Sequence, residues 1–144
     1  MKQSETTQTH DLFIETLSPY DFLTTAQRLR EEIEKNSWLV SHVYDLKKTL
    51  EKHHQSVLPV YVFSLCHPKH SGKLLALNHE RIASSAMPCR ISVYEKIDGK
   101  TYLSRMNTSM VSQSLSGVMR EVMSESSKDV EAMIKNVLKT ANDL

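Results

Sequence analysis

Apolar residues recur every three or four positions in three stretches of the chain, which is the spacing of an amphipathic helix. The first stretch, Phe22 to Ile33, follows Ser18-Pro19, a pair suited to a helix cap and a first helical position. The second, Met110 to Met123, is followed by the polar run Ser124–Ser127, which predicts a break before a last helix over residues 130–141. Two shorter helices are predicted after Asp45 and around residues 74–77.

Other stretches carry the patterns of β-strands. The run Leu58–Cys66 is almost entirely apolar and too short for a typical buried helix, so it predicts a central strand. From Cys89 to Lys96 apolar and polar residues alternate, and Asp98-Gly99 then signals a hairpin with a return strand over Thr101–Met106. Residues 12–14 and 38–44 are predicted as further strands.

This order of elements predicts an α+β fold. The Asp98-Gly99 hairpin interrupts any continuous alternation of parallel strands and helices, which favours a two-layer sandwich: a mixed or antiparallel sheet with helices on one face. Residues 1–10 are polar and predicted to be a disordered tail. Residues 11–144 have the length of one ordinary domain.

Composition narrows the possible functions. The formal net charge is +1, with 18 Lys and Arg against 17 Asp and Glu, and no basic stripe is present, so nucleic acid is not an expected partner. No apolar run resembles a signal peptide or reaches the length of a membrane span, so we expect a cytoplasmic protein without a membrane partner. Its two cysteines are then expected to be reduced.

Two short segments carry a family resemblance. The segment Tyr61–Pro68 resembles a strand that ends in a Cys-x-Pro signature, and Met87–Glu95 resembles a strand that begins Pro-Cys and ends Val-Tyr-Glu, followed by Asp98-Gly99. Together they resemble the domain-of-unknown-function family numbered 302, and the likeness extends more loosely from Phe13 to Leu138. The resemblance implies a β-α-β-β-β-β-α-like domain similar to the TATA-box-binding-protein-like fold class, and often a homodimer. His67 stands where the family more often has Asn.

Cysteine and histidine supply one set of candidate residues. Cys66 and Cys89 each flank a predicted strand, so they are either a reactive thiol pair or two small buried apolar residues. Cys66, His67, His70 and Cys89 contain donors that suit zinc, but the compact ligand pairs of structural zinc sites are missing.

Arginine and methionine supply another set, near the hairpin. If Arg90 and Arg105 share a sheet face, their guanidinium groups could bind an anion; otherwise they pair with acidic neighbours. Tyr94 and Asn107 belong to the same polar cluster. Met106 lies where the return strand meets the next helix, and a thioether can ligate haem iron or fill an irregular core.

The leading hypothesis is a non-enzymatic homodimeric binding module. Its ligand would be small and anionic or planar, with haem as one candidate, and would lie near Cys66, Cys89, Arg90, Arg105 and Met106. The alternatives are a thiol redox protein that uses Cys66 and Cys89, and a structural interaction protein without a ligand. No phosphate-binding glycine loop, nucleophile elbow or metalloprotease motif supports an enzyme.

Overall fold

The computed structural model describes residues 7–10, 12–87 and 89–143. Within them the strands are β1 (Thr7–Thr9), β2 (Phe13–Leu17), β3 (Leu39–Asp45), β4 (Val60–Cys66), β5 (Cys89–Glu95) and β6 (Thr101–Met106). The helices are α1 (Phe22–Lys35), α2 (Leu46–Glu51), α3 (Pro68–Leu75), α4 (Thr108–Ser112) and α5 (Gly117–Val137), with 3₁₀ segments at His79–Ala86 and Ala141–Asp143.

The strands form one antiparallel sheet in the order β1-β2-β6-β5-β4-β3. The long helices α1 and α5 contact each other and share one apolar cluster with the sheet. Apart from Trp38, its buried members come from both helices and from β4, β5 and β6, and include Leu29, Ile33, Ile91, Leu103 and Ile134. The α+β prediction, with helices layered on a sheet, is confirmed.

The hairpin between β5 and β6 sets which side chains face the helices. Gly99 adopts a φ of 79°, a left-handed conformation that glycine reaches at little cost. The turn pairs Glu95 with Thr101, and continuing this register pairs Ile91 with Arg105. Directly opposed residues share a sheet face, so Arg105 lies on the helix-covered face beside Ile91.

Helix α1 starts later than the sequence suggests. The Asp21 carboxylate, and not Ser18, caps it by accepting a hydrogen bond of 2.8 Å from the Thr24 backbone N–H. The Ser18 hydroxyl lies 2.7 Å from the Thr25 hydroxyl and is buried beneath the first turn. Ser18 is therefore part of the packed interior.

Three further differences separate the structure from the prediction. Thr7–Thr9 pairs with β2 as a strand, in a segment predicted to be a disordered tail, while residues 1–6 lie outside the described residues. The break predicted at Ser124–Ser127 is wrong, because α5 continues through it. The helix predicted around residues 74–77 begins earlier, at Pro68, which suits a first helical turn.

Candidate functional site

A cavity of about 240 Å³, here called the main cavity, lies where the ends of β5 and β6 meet the middle of α5. The sheet contributes Cys89, Arg90, Arg105 and Met106 to its wall. The remaining wall residues come from the 3₁₀ segment, α4 and α5: Ser85, Ala86, Met87, Thr108, Val111, Met123, Ser126, Ser127, Val130 and Glu131. Four of the five residues predicted for a ligand site therefore border one cavity.

The segment between β6 and α5 closes one side of this cavity. Asn107 follows β6 directly, and its side-chain oxygen accepts a hydrogen bond of 3.3 Å from the Met110 N–H, which starts α4. Helix α4 lasts only five residues and packs against α5, which begins at Gly117. Thr108 and Val111 of α4 line the main cavity.

Arg105 is the most buried of the three charged residues on the wall of the main cavity, the others being Arg90 and Glu131. Its side chain is only 7% exposed, and its Nε and Nη2 atoms donate to the two carboxylate oxygens of Glu131 at 2.8 and 2.5 Å. Its Nη1 atom donates to the Thr16 hydroxyl at 2.9 Å. A buried arginine has to be paired, and this two-point contact matches the fork of the guanidinium group to a carboxylate. The Glu131 side chain is 40% exposed, so one partner of the pair remains open to solvent.

Arg90 and Arg105 lie on opposite faces of the sheet. Arg90 pairs across the ladder with Ser64, and its guanidinium carbon lies 5.8 Å from the centroid of the Tyr44 ring. Tyr44, like Arg90, belongs to the face opposite the apolar cluster, since it pairs with Val62. The hypothesis of two arginines that jointly clasp an anion from one face is therefore wrong, although both residues border the cavity.

Tyr94 is also separated from Arg105. It lies on the face away from the helices, opposite Tyr102, and its hydroxyl donates to the Glu15 carboxylate. Lys96 Nζ binds the same carboxylate at 2.7 Å. Burial, and then the hydrogen bond to Glu15, raise the pKa of Tyr94 well above its usual range. The polar cluster predicted around the hairpin is thus divided between two faces of the sheet.

The two cysteines border a second, much smaller cavity of about 20 Å³, here called the small cavity. Both thiols are free. Cys89 lies opposite Leu65 in the sheet and also reaches the main cavity, whereas Cys66 Sγ lies 3.2 Å from the Ser71 hydroxyl. Burial, and then the electrostatic effect of the nearby Cys66, raise the pKa of Cys89 to about 11. A thiol with so high a pKa is protonated at neutral pH and is a poor nucleophile.

His67 and His70 stand beside these thiols, with ring centroids 4.4 Å apart. His70 Nε2 lies 3.1 Å from an Asp129 carboxylate oxygen, and His70 Nδ1 lies 3.7 Å from a Glu125 oxygen. His67 Nδ1 is buried and has no hydrogen-bond partner in the described part of the chain. Burial, and then the neighbouring His70, lower the pKa of His67, which favours the neutral form of the ring.

Comparison with known proteins places this arrangement in a family. Residues 14–141 match the family described as domain of unknown function DUF302. The chain belongs to the DUF302 family. Its fold is similar to that of a crystal structure of an uncharacterised conserved DUF302 protein from Bacillus stearothermophilus, with a TM-score of 0.77 and 16% identity over 88% of this chain and 98% of that one. No curated protein matches the chain.

The DUF302 fold also brings to the cavities residues that were not among those predicted for a site. Glu131 is the partner of Arg105, and Ser126, Met87 and Met123 line both cavities. Trp38, predicted to begin a strand, is instead buried beside His67, with ring centroids 5.3 Å apart. A signal for Ser126 was present in the sequence, since a serine within the apolar stripe of a helix leaves a space that a larger side chain would fill.

Two further observations on this DUF302 domain concern metal ions and membranes. Among residues 7–10, 12–87 and 89–143, no three His, Cys, Asp or Glu side chains are grouped so that they could hold a metal ion. Within the same residues, every helix is too short or too polar to cross a membrane.

Proposed function

We propose that this protein binds a small molecule in the main cavity, with an anionic group of the ligand directed at Arg105. The observation that carries the proposal is the buried Arg105 side chain at the wall of a cavity whose other residues, apart from Arg90 and Glu131, are apolar or small and uncharged. Ligand sites commonly combine an apolar wall with a few fixed polar groups, which orient the bound molecule. The Arg105–Glu131 pair supplies that polar end here.

The pair also suggests how an anion would enter. The Glu131 side chain is 40% exposed and can turn toward solvent, whereas Arg105 is held by Thr16 and by its position within the sheet. A ligand carboxylate that replaces Glu131 makes the same two-point contact with the guanidinium group, so the exchange leaves no buried charge unpaired. Contact between the ligand and Met87, Met106 and Met123 then supplies the net gain from apolar burial.

The size of the cavity restricts the ligand. Its volume of about 240 Å³ lies below the ~300 to 1,000 Å³ of most small-molecule sites. A ligand of about ten non-hydrogen atoms fits this space, and haem is far larger, so the cavity favours the anionic candidate over haem. At roughly 0.6 kcal/mol per atom, such a ligand has a Kd on the order of tens of micromolar.

Matched pairs of small ligands test the proposal. Benzoate and phenylacetate carry a carboxylate on an apolar ring, while benzamide and phenylacetamide have the same shape without the charge. At about 1 mM, a ligand with a Kd of tens of micromolar stabilises the protein by ~2 kcal/mol and raises Tm by several degrees. We expect the carboxylates to raise Tm and to shift NMR signals of Arg105 and Met123, and the amides to do so much less.

Two variants locate the binding. Glu131→Gln removes the carboxylate that competes for Arg105, so carboxylate affinity should rise about tenfold. Glu121→Gln is the matched control, because Glu121 lies on the same helix and pairs with Lys73 at 2.6 Å, outside the cavity. Equal effects of the two variants, or equal binding of carboxylates and amides, would contradict the proposal. Native mass spectrometry of the same samples reads the subunit number and so tests the homodimer that remains a prediction.

A further inference from the structure

The segment that follows β4 is held less firmly than the core of the domain. Residues 68–87, here called the 68–87 segment, comprise α3 and the 3₁₀ segment, and their main contacts are with α5 and with one another. Of the side chains from Pro68 to Ala86, Leu74 alone is buried. A 3₁₀ helix as long as His79–Ala86 is uncommon, because its hydrogen bonds are poorly aligned. A segment with so few buried contacts opens locally more easily than the core does.

The 68–87 segment covers both cavities. Ser85, Ala86 and Met87 belong to the wall of the main cavity, and Leu74, Ala86 and Met87 border the small cavity. The backbone is extended at both ends of the segment, with φ −108° and ψ 110° at His67 and φ −118° and ψ 155° at Met87. Hinge motions are usually absorbed by a few residues at the ends of elements, so movement about these two ends exposes the cavities.

The contact between α3 and α5 is mainly one of opposite charges. Glu121, Glu125 and Asp129 follow one another at four-residue spacing and so lie on one side of α5. Lys73 Nζ lies 2.6 Å from Glu121, but both side chains are about half exposed, so this pair contributes little. The side chain of His70 is only 16% exposed and lies between two carboxylates, with Nε2 3.1 Å from Asp129 and Nδ1 3.7 Å from Glu125.

The strength of the His70 contact depends on the protonation of its ring. A neutral imidazole has one N–H group, whereas an imidazolium has two and carries a positive charge. Neutral His70 therefore donates to one carboxylate, and protonated His70 attracts both Asp129 and Glu125. Histidine takes up this proton between pH 5 and 8. The contact with α5 is thus stronger at the acidic end of this range and weakens as pH rises.

The other groups around His70 do not replace it in this role. They are the neighbouring lysines, two aromatic rings and the two thiols: Trp38, Cys66, His67, Lys69, Lys73 and Cys89. Lysines ordinarily keep their charge throughout this pH range. Burial and the neighbouring His70 lower the pKa of His67, and burial raises the pKa of Cys89 to about 11. His70 is therefore the ring whose protonation strengthens the contact with Glu125 and Asp129.

We propose that the 68–87 segment is a lid over the main cavity, and that the protonated His70 ring latches this lid to Glu125 and Asp129 of α5. Release of the latch as pH rises admits the ligand to the main cavity. This purpose of the lid rests on the proposed function, whereas its motion requires no ligand. Cys89 lines both cavities together with Met87 of the lid, so its thiol becomes accessible when the lid opens.

Hydrogen exchange of the ligand-free, full-length protein tests the latch. Exchange rates are corrected for the intrinsic effect of pH on amide chemistry. We expect residues 68–87 of the wild type to be protected about tenfold more strongly at pH 5.5 than at pH 8, and β5 and β6 to change much less. His70→Gln keeps an N–H donor but does not titrate, so it should lose this pH dependence. His79→Gln is the matched control, because His79 is an exposed histidine of the same segment.

Reaction of Cys89 with 2,2′-dithiodipyridine, followed by mass spectrometry, shows whether this opening reaches the cavities. At pH 6 we expect Cys89 to react several-fold faster in His70→Gln than in the wild type, and equally fast in His79→Gln and the wild type. If His70→Gln fails to fold by circular dichroism, Asp129→Asn takes its place, because it removes the carboxylate partner of the latch.

Two results would overturn the proposal. One is a pH dependence of exchange in residues 68–87 that is missing from the wild type or retained in His70→Gln. The other is an equal reactivity of Cys89 in the wild type and the latch variant. Failure of benzoate to bind would contradict the proposed function alone, since neither measurement of the lid uses a ligand.

Discussion

The two halves of α5 meet the rest of the domain in different ways. In the C-terminal half, Met133, Ile134 and Val137 are each 2% exposed and pack with α1 and the sheet in one apolar cluster. In the N-terminal half, Met123 and Ser126 are also buried, yet both border the main and small cavities. One continuous helix therefore closes the core at one end and forms the wall of the candidate sites at the other.

The difference follows from side-chain shape and from what lies beneath each half. Branched aliphatic residues of α5 interdigitate with Leu29 and Ile33 of α1, which leaves little empty space. Near Ser126 the side chains are short or flexible, and α4, the 3₁₀ segment and the ends of β5 and β6 line an open space below. Being buried is therefore not the same as being tightly packed, and only the second property makes a residue costly to truncate.

Truncation of one residue from each half gives the largest effect. Ile134→Ala should lower the free energy of unfolding by about 3 to 4 kcal/mol, because it opens a new cavity in a filled region. Met123→Ala should cost about 1 to 2 kcal/mol, because one side of Met123 already faces empty space. Urea unfolding of both variants, compared with the wild type, measures the two values. Equal costs would mean that the main cavity is closed in solution and would remove the contrast between the two halves.

Much of this fold could be predicted from local patterns. The apolar stripe of α1, the strand β4 and the hairpin between β5 and β6 follow from periodicity and turn chemistry, and all three are present. The hairpin also determines which side chains of β5 and β6 share a face of the sheet. A turn that pairs Glu95 with Thr101 fixes the register, and that register pairs Arg105 with Ile91, which separates Arg105 from Arg90.

The composition of the candidate sites could not be predicted in this way. Glu131 lies 26 residues after Arg105, and their contact depends on where α5 crosses the sheet. The serines at positions 124, 126 and 127 favour a break by propensity, but the burial of Ser126 and of the apolar residues on either side keeps the helix continuous. Tertiary packing decides both points, and one sequence alone does not encode it in a local pattern.

The second-largest expected effect is the pH dependence that the Cys89 thiol gives to the free energy of unfolding. Its size depends on how far water reaches this thiol. Burial raises its pKa from 9.0 to about 11, so between these values the unfolded chain loses a proton that the folded protein keeps. The stabilisation that comes from the protonated thiol is complete below pH 9 and is lost as pH rises through 11, by about 2 to 3 kcal/mol.

Cys89→Ser removes this titration, and urea unfolding of both proteins from pH 7.5 to 11 measures it. The stability of the wild type should fall relative to the variant over the upper part of this range. Parallel profiles would show that water in the cavities already solvates the thiolate.

Filling the space beside Ser126 should change the free energy of unfolding least. It is also the most direct test of the difference in packing between the two halves of α5. Ser126→Val adds apolar volume at a buried position that borders both cavities, which should contribute about 1 kcal/mol, partly offset by ~0.5 kcal/mol for a β-branched residue in a helix. Ser124→Val carries the same helix penalty at a half-buried position that lines neither cavity, so it is the matched control. We expect Ser126→Val to be more stable than Ser124→Val by about 1 kcal/mol in urea unfolding, and to bind benzoate more weakly. If Ser126→Val is instead the less stable of the two, this half of α5 is already as tightly packed as the half that carries Ile134.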